Sequence, residues 1–165
     1  MIRHVWKVKK GHSKIHFAVD LIGQVVSMDV SSEKVWDGRR LKRLVRRAEG
    51  SVRIRRVLAD WAYDSKASFN FLVGEGIKPD IRVAKNSVSK YSRSYARMMA
   101  VTDQQAFRPK AWSRIHRFGY RWRVEGAFLC IKGLFWEYVT ARKFVNMVKE
   151  IAMKAPIYNG FIATA

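Results

Sequence analysis

Residues 14–31 constrain the fold more than any other stretch. In Lys14-Ile-His-Phe-Ala-Val-Asp-Leu-Ile22, the side chains of Ile15, Phe17 and Val19 point one way, while His16, Ala18 and Asp20 point the other. Gly23-Gln24 is a turn signal, and Val25 to Ser31 reads as a second strand. Together they predict a β-hairpin. Residues 1–13 alternate loosely and suggest a short extended arm before it.

Short helices and strands follow. A basic helix is expected over 38–49, with Leu41, Leu44, Val45 and Ala48 inward and Gly50 at its end. Arg53 to Ala59 reads as a short strand ending at Asp60. Ser65 is placed to cap a helix over 66–75, with Phe69, Leu72 and Val73 inward and Gly74 and Gly76 closing it. Pro79 to Ala84 is the next strand. Residues 85–118 form a basic connection with some helix around 91–106; within 85–114, seven Lys and Arg stand against one acid. A helix from Phe118 carries Val124, Phe128, Ile131 and Phe135 as an apolar stripe, with Cys130 in its core and Arg121, Glu125 and Lys132 on one face. The last helix, 141–158, is expected to bury Phe144, Val145, Val148, Ile151, Ala152 and Ala155, and Pro156 to kink or end it. The order implies one α/β domain over 1–165, built on a mixed sheet.

Charge narrows the partner. Thirty-three Lys and Arg against 13 Asp and Glu give a formal charge of +20, which draws a folded chain to polyanions, nucleic acid first. The charge is spread along the chain rather than gathered on one amphipathic helix, and no apolar run reaches membrane-spanning length, so a membrane is not the expected partner. One cysteine and no signal-peptide pattern suggest a cytoplasmic chain.

Amid this charge, three acids sit where chemistry gathers. Asp20 and Asp60 each end an apolar strand, and Glu125 comes from a late helix. Carboxylates converging from two strands and a helix suit hard divalent cations such as Mg²⁺ or Mn²⁺, and two such ions can serve a phosphodiester displacement. Strand-end Asp residues are equally at home as turn formers. Asp64 and Asp37 read as cap or helix-start acids, and His16 as a hydrogen-bonded structural histidine. His4, His12 and His116 lack zinc-ligand spacing. The Arg face of helix 38–49, including Arg39 and Arg43, is either a solvated face or a DNA contact.

Several motifs together resemble one family. Lys14-Ile-His-Phe-Ala-Val-Asp20, Glu33-Lys-Val-Trp-Asp37, Val57-Leu-Ala-Asp-Trp-Ala-Tyr-Asp-Ser65, Arg123-Val-Glu-Gly-Ala-Phe128 and Tyr138-Val-Thr-Ala-Arg-Lys-Phe144 are similar, in register over about 11–162, to the DDE transposases of bacterial and archaeal insertion sequences. The resemblance implies a ribonuclease H-like fold, a mixed sheet flanked by helices. It implies Asp20, Asp60 and Glu125 as a catalytic, metal-holding triad with two Mg²⁺ ions, for which Mn²⁺ can substitute. The implied reaction is hydrolysis at the element's end to leave a 3′-hydroxyl, which then attacks target DNA. Part of the family carries a Tyr, Arg, Glu, Lys signature with two, three and six residues between members; Phe118, Arg121, Glu125 and Lys132 keep that spacing, with Phe118 in place of tyrosine. Arg121, Lys132 and Arg123 are thereby implied to hold DNA. Partners would be element ends and target DNA, with a homodimer allowed and a nucleoid location. Trp36 stands where relatives often have His, and Trp61 crowds Asp60. Relatives usually carry a helical DNA-binding region before the first strand, where about a dozen residues precede it here. A truncated, catalytically dead DNA-binding remnant is the alternative expectation.

Overall fold

The hairpin forms as its alternation requires. In the computed structural model, which describes residues 3–8, 11–32, 34–91, 93–136 and 139–164 (the backbone alone for 3–8 and 11–13), three strands make an antiparallel sheet in the order β1 (Arg3–Val8), β2 (Gly11–Val19), β3 (Val25–Ser32). Ile15 faces Val30 and Phe17 faces Met28 across β2 and β3. The expected arm is thus β1, and the first strand begins earlier than its apolar alternation. Glu33 and Tyr138 of the family pattern lie outside the described residues.

The chain divides into two compact units, Met1–Trp36 with Trp122–Ala165, and Asp37–Arg121. In the first, the apolar face of the hairpin packs on two late helices. Ile15, Phe17, Val25 and Val30 join Val124, Ala127, Phe128 and Ile131 of one helix and Met147, Ile151, Ala155 and Tyr158 of the other in a single core. Phe17 and Phe128 stack with ring centroids 4.4 Å apart.

The second unit begins with a 3-10 turn, Asp37–Arg39, and α1 (Leu41–Glu49), whose buried face is the expected Leu41, Leu44, Val45 and Ala48. β4 (Arg56–Ala59) and β5 (Lys78–Ile81) pair in parallel, joined through α2 (Lys66–Gly74). Ser65 Oγ accepts from Ser68 N at 3.0 Å, the expected cap. Gly76, at φ +69°, lets the chain reverse while Ile77 N returns to Leu72 O; a residue with a Cβ is strained there. The basic connection holds two helices, α3 (Tyr95–Ala106) and α4 (Pro109–Ile115), the second unanticipated although Pro109 opens it as a first-turn proline should.

Three expectations about the late helices fail. The stretch from Phe118 is not one α-helix: Phe118–Arg121 is a 3-10 turn, and α5 runs Trp122–Phe135. Arg121 therefore lies outside the helix whose face Glu125 and Lys132 share. Cys130 is exposed, because the core stripe of α5 is Val124, Ala127, Phe128 and Ile131, and position 130 turns away from it. The last helix, α6, runs Phe144–Ala163 and so does not end at Pro156. Its inward face is Met147, Ile151, Ala155 and Tyr158, so Phe144, Val145 and Ala152 are exposed instead.

The continuation past Pro156 has a tertiary cause. Asn159 bonds both backbone groups of Val25, accepting from its N–H at 2.8 Å and donating to its C=O at 2.9 Å, and Tyr158 donates to Gly23 O at 3.0 Å. These bonds tie the helix beyond the proline to the hairpin turn, offsetting the lost helical bond. Tyr158→Phe strands the Gly23 carbonyl and is expected to lower stability by about 1–3 kcal/mol, measured by denaturant titration.

Candidate active site and nucleic-acid interface

Asp20 follows β2 directly, where the chain must reverse. Its Oδ1 accepts from the backbone N–H of Ile22, Gly23 and Gln24 at 3.0, 2.9 and 2.9 Å. The turn-forming role open to a strand-end Asp is thus real for Asp20, and it fixes the carboxylate's orientation. Among the hydrogen bonds described, none reaches Oδ2. Tyr158, bonded to the same turn, has its hydroxyl pKa pushed up, first by burial and further by the negative charges of Cys130 and Asp20.

Glu125 sits in the first turn of α5, where the helix dipole favours a carboxylate. It lies in the same unit as Asp20. The Phe17–Phe128 stack locks β2 against α5, and each acid is three residues from it: Asp20 beyond Phe17 and Glu125 before Phe128. Lys132 is two turns along α5 from Glu125, and Arg123 holds its guanidinium 5.3 Å from the Trp122 ring. Further along, Glu150 of α6 accepts from the N–H groups of Thr140 and Ala141 and from Thr140 Oγ1, at 3.0–3.1 Å. Burial pushes the Glu150 carboxyl up, but those bonds and Lys154 outweigh it and hold the pKa below the usual value. The clamp fixes the chain just ahead of Arg142 and Lys143, both exposed.

Asp60 belongs to the second unit, at the end of β4, the carboxyl end of a parallel strand, where sites in α/β folds gather. Its Oδ1 accepts from Ala62 N at 3.1 Å and caps the 3-10 turn Trp61–Tyr63. Burial raises its pKa above the ordinary 3.8; the Ala62 amide and Arg121 oppose this, and the buried Asp37 adds to it. Trp61, the next residue, is 66% exposed. Asp37, read from sequence as a helix-start acid, is buried in the turn that packs against the Asp60 turn. Arg39 and Arg43 are exposed on and beside α1.

Two further acids do structural work that spacing could not reveal. Asp64 takes a bidentate pair from Arg97, Nε at 2.6 Å and NH2 at 2.8 Å, and also accepts from Ala84 N. The reading of Asp64 as structural agrees, but its partner is a distant arginine rather than a helix end. Asp80, 1% exposed, meets Arg56 Nε at 2.9 Å and His116 Nδ1 at 2.5 Å. His116 Nε2 approaches Asp103 at 2.6 Å, off the hydrogen-bond line, so this second contact is an ion pair only when the ring is protonated.

The donors proposed for metal are all carboxylate oxygens, the chemistry a hard divalent cation takes. Among the described residues, no three His, Cys, Asp or Glu are gathered as a metal group.

Against known families, residues 3–159 match the transposase DDE domain. The chain belongs to that family. No curated protein and no solved structure matches it. The family is one of DNA transposition and recombination enzymes that generally use a divalent metal. In this transposase the match spans both units and every acid discussed. Among the described residues, no helix is long and apolar enough to cross a membrane.

Proposed function

We propose that this transposase cuts and joins DNA at the ends of an insertion sequence, with Asp20, Asp60 and Glu125 as the residues that hold two Mg²⁺ or Mn²⁺ ions in a ribonuclease H-like catalytic domain formed by residues 1–165. The observation that carries the reading is the match over residues 3–159 in a chain whose Asp20 and Asp60 end strands and whose Glu125 opens a helix. When bound, divalent ions would polarise the phosphodiester and acidify the attacking water. The chain's own residues orient the site. Three backbone amides aim Asp20, the Ala62 amide aims Asp60, and the dipole of α5 favours ionised Glu125. Arg121, Arg123 and Lys132 are proposed to grip the backbone of the element's end, and Arg39 and Arg43 of the α1 region to hold flanking phosphate, each a sequence-independent contact. DNA binding then places the protein on the nucleoid, and a homodimer would engage both element ends.

The test is nicking of DNA carrying the element's own ends, with Mg²⁺ or Mn²⁺. Glu125→Gln is expected to lower cleavage by a factor on the order of 10³ or more while leaving DNA affinity within about twofold. Cleavage that persists in Glu125→Gln removes Glu125 from the site. A second reading, a catalytically inert DNA-binding relative, accounts for the formal charge of +20 without any chemistry. It requires salt-sensitive binding with no metal-dependent cleavage by the unaltered chain.

A further inference from the structure

The segment between β5 and α3 carries an unusual combination of rigidity and exposed aromatic surface. From Ile81 to Thr102 it has Arg82, Lys85, Lys90, Arg93 and Arg97 and no Asp or Glu. Arg97 is committed to Asp64, while Arg82, Lys85, Lys90 and Arg93 are exposed. Tyr91 and Tyr95 are 66% and 63% exposed. A tyrosine that exposed adds little to the core, and two of them within five residues of a basic loop form a surface without an interior purpose.

The loop is nevertheless held at many points. Gln104 bonds both backbone groups of Val83, and Ala84 N donates to Asp64. Ser87 receives Arg97 NH2 on its hydroxyl at 3.1 Å and Gln105 Nε2 on its carbonyl at 2.9 Å. Ser89 and Thr102 join their hydroxyls, Asn70 Nδ2 donates to Arg93 O at 2.9 Å, and Ser94 caps α3 through Arg97 N. Arg93 itself has φ +58°, a left-handed conformation that a branched-free glycine would adopt without strain. Such strain persists where the surroundings over-determine it, and it clusters at ligand clamps. Here it puts an arginine between two exposed tyrosines. A surface ordered beforehand loses less freedom on binding.

We infer that Tyr91, Arg93 and Tyr95, with Lys85 and Lys90 beside them, form a platform for an unpaired DNA strand. Bases in a duplex are covered by their neighbours and offer a protein only edges and phosphates. An unpaired base has an open face for a tyrosine ring, and its backbone has phosphates for lysine and arginine. The choice of DNA rests on the transposase reading; the preference for an unpaired strand rests on the loop alone.

The test is fluorescence anisotropy of the full chain with a labelled single-stranded 20-mer DNA, its blunt duplex and the matching RNA, in EDTA so that no cleavage enters. In Tyr91→Leu/Tyr95→Leu, single-strand affinity is expected to fall at least about tenfold, with duplex affinity within about twofold and the thermal midpoint unchanged. Arg93→Gly accepts the left-handed backbone and so keeps the loop; it should reduce the single-strand salt slope by about 0.7. Unchanged single-strand affinity in the double variant, or equal losses for single strand and duplex, overturns the platform. Tighter binding of RNA than of DNA overturns the DNA assignment. None of these outcomes depends on Glu125→Gln, so the platform and the cleavage reading fail separately.

Discussion

Asp60→Asn is expected to cut cleavage sharply, if the proposed site is right, and to make the fold more stable. Asn keeps a side-chain oxygen for the Ala62 amide, so the cap on the 3-10 turn survives. It removes a carboxyl whose ionised form burial disfavours. The folded chain holds the Asp60 proton more tightly than the unfolded chain does. Stability is therefore lost as pH rises from the ordinary 3.8 through the raised value, and it is fully regained only below 3.8. The variant lacks that loss, so its thermal midpoint should exceed that of the unaltered chain, with a gap that opens between acid and neutral pH. Cleavage, if Asp60 holds metal, should fall by a factor on the order of 10³ or more. Calorimetry at pH 3 and pH 7 beside a nicking assay checks both. A midpoint that drops at pH 7 shows that the carboxylate stabilises the fold and removes the argument that it is kept for chemistry.

Asp80→Ala acts in the opposite direction and through the fold alone. Asp80 is closed from solvent and faces Arg56, His116 and, at 3.9 Å, Lys78. Its removal takes the counter-charge from exposed Arg56, which water can still solvate, and the hydrogen-bond partner from Nδ1 of His116, which is largely shielded. Leaving the shielded His116 nitrogen unpaired costs about 1–3 kcal/mol, a sizeable share of the stability of a domain of this size. Urea titration should show the drop. The effect reaches α4 as well, since Trp112 stacks on His116 at 4.6 Å and donates to Asp103. Asp80→Asn, which keeps an acceptor, should cost less than Asp80→Ala. Equal losses would mean that shape rather than charge is what the site needs.

Both substitutions concern strand-end acids, yet only one was singled out by its place in sequence. Asp60 closes an apolar run, and that pattern is visible without a structure. Asp80 lies within Pro79-Asp-Ile-Arg and looks like any acid in a basic chain. Its partners, Arg56 and His116, are 24 and 36 residues away, and no local periodicity marks them.

The same division holds for the rest of the chain. Alternation in 14–31, the apolar stripe of 41–48 and the Ser65 cap depend on neighbours within a turn or a strand, so the hairpin, α1 and the start of α2 were legible as written, while Val73, expected inward on α2, is exposed beside the buried Phe69 and Leu72. Asp20, Asp60 and Glu125 were singled out in the same way, from the local motifs around them, as the proposed metal ligands. What tertiary structure decided was phase and commitment. Asn159 and Tyr158, bonded to the hairpin turn, hold the part of α6 beyond Pro156, a proline expected to kink or end it, and fix which face is buried. A 3-10 turn detaches Arg121 from the helix of Glu125. Arg97, one more cation by composition, is spent on Asp64, while Tyr91, Arg93 and Tyr95 are left exposed on a loop held in place. Local sequence sets backbone preference within a few residues; which side chain a carboxylate meets depends on contacts distant in sequence, and only the folded chain brings those together.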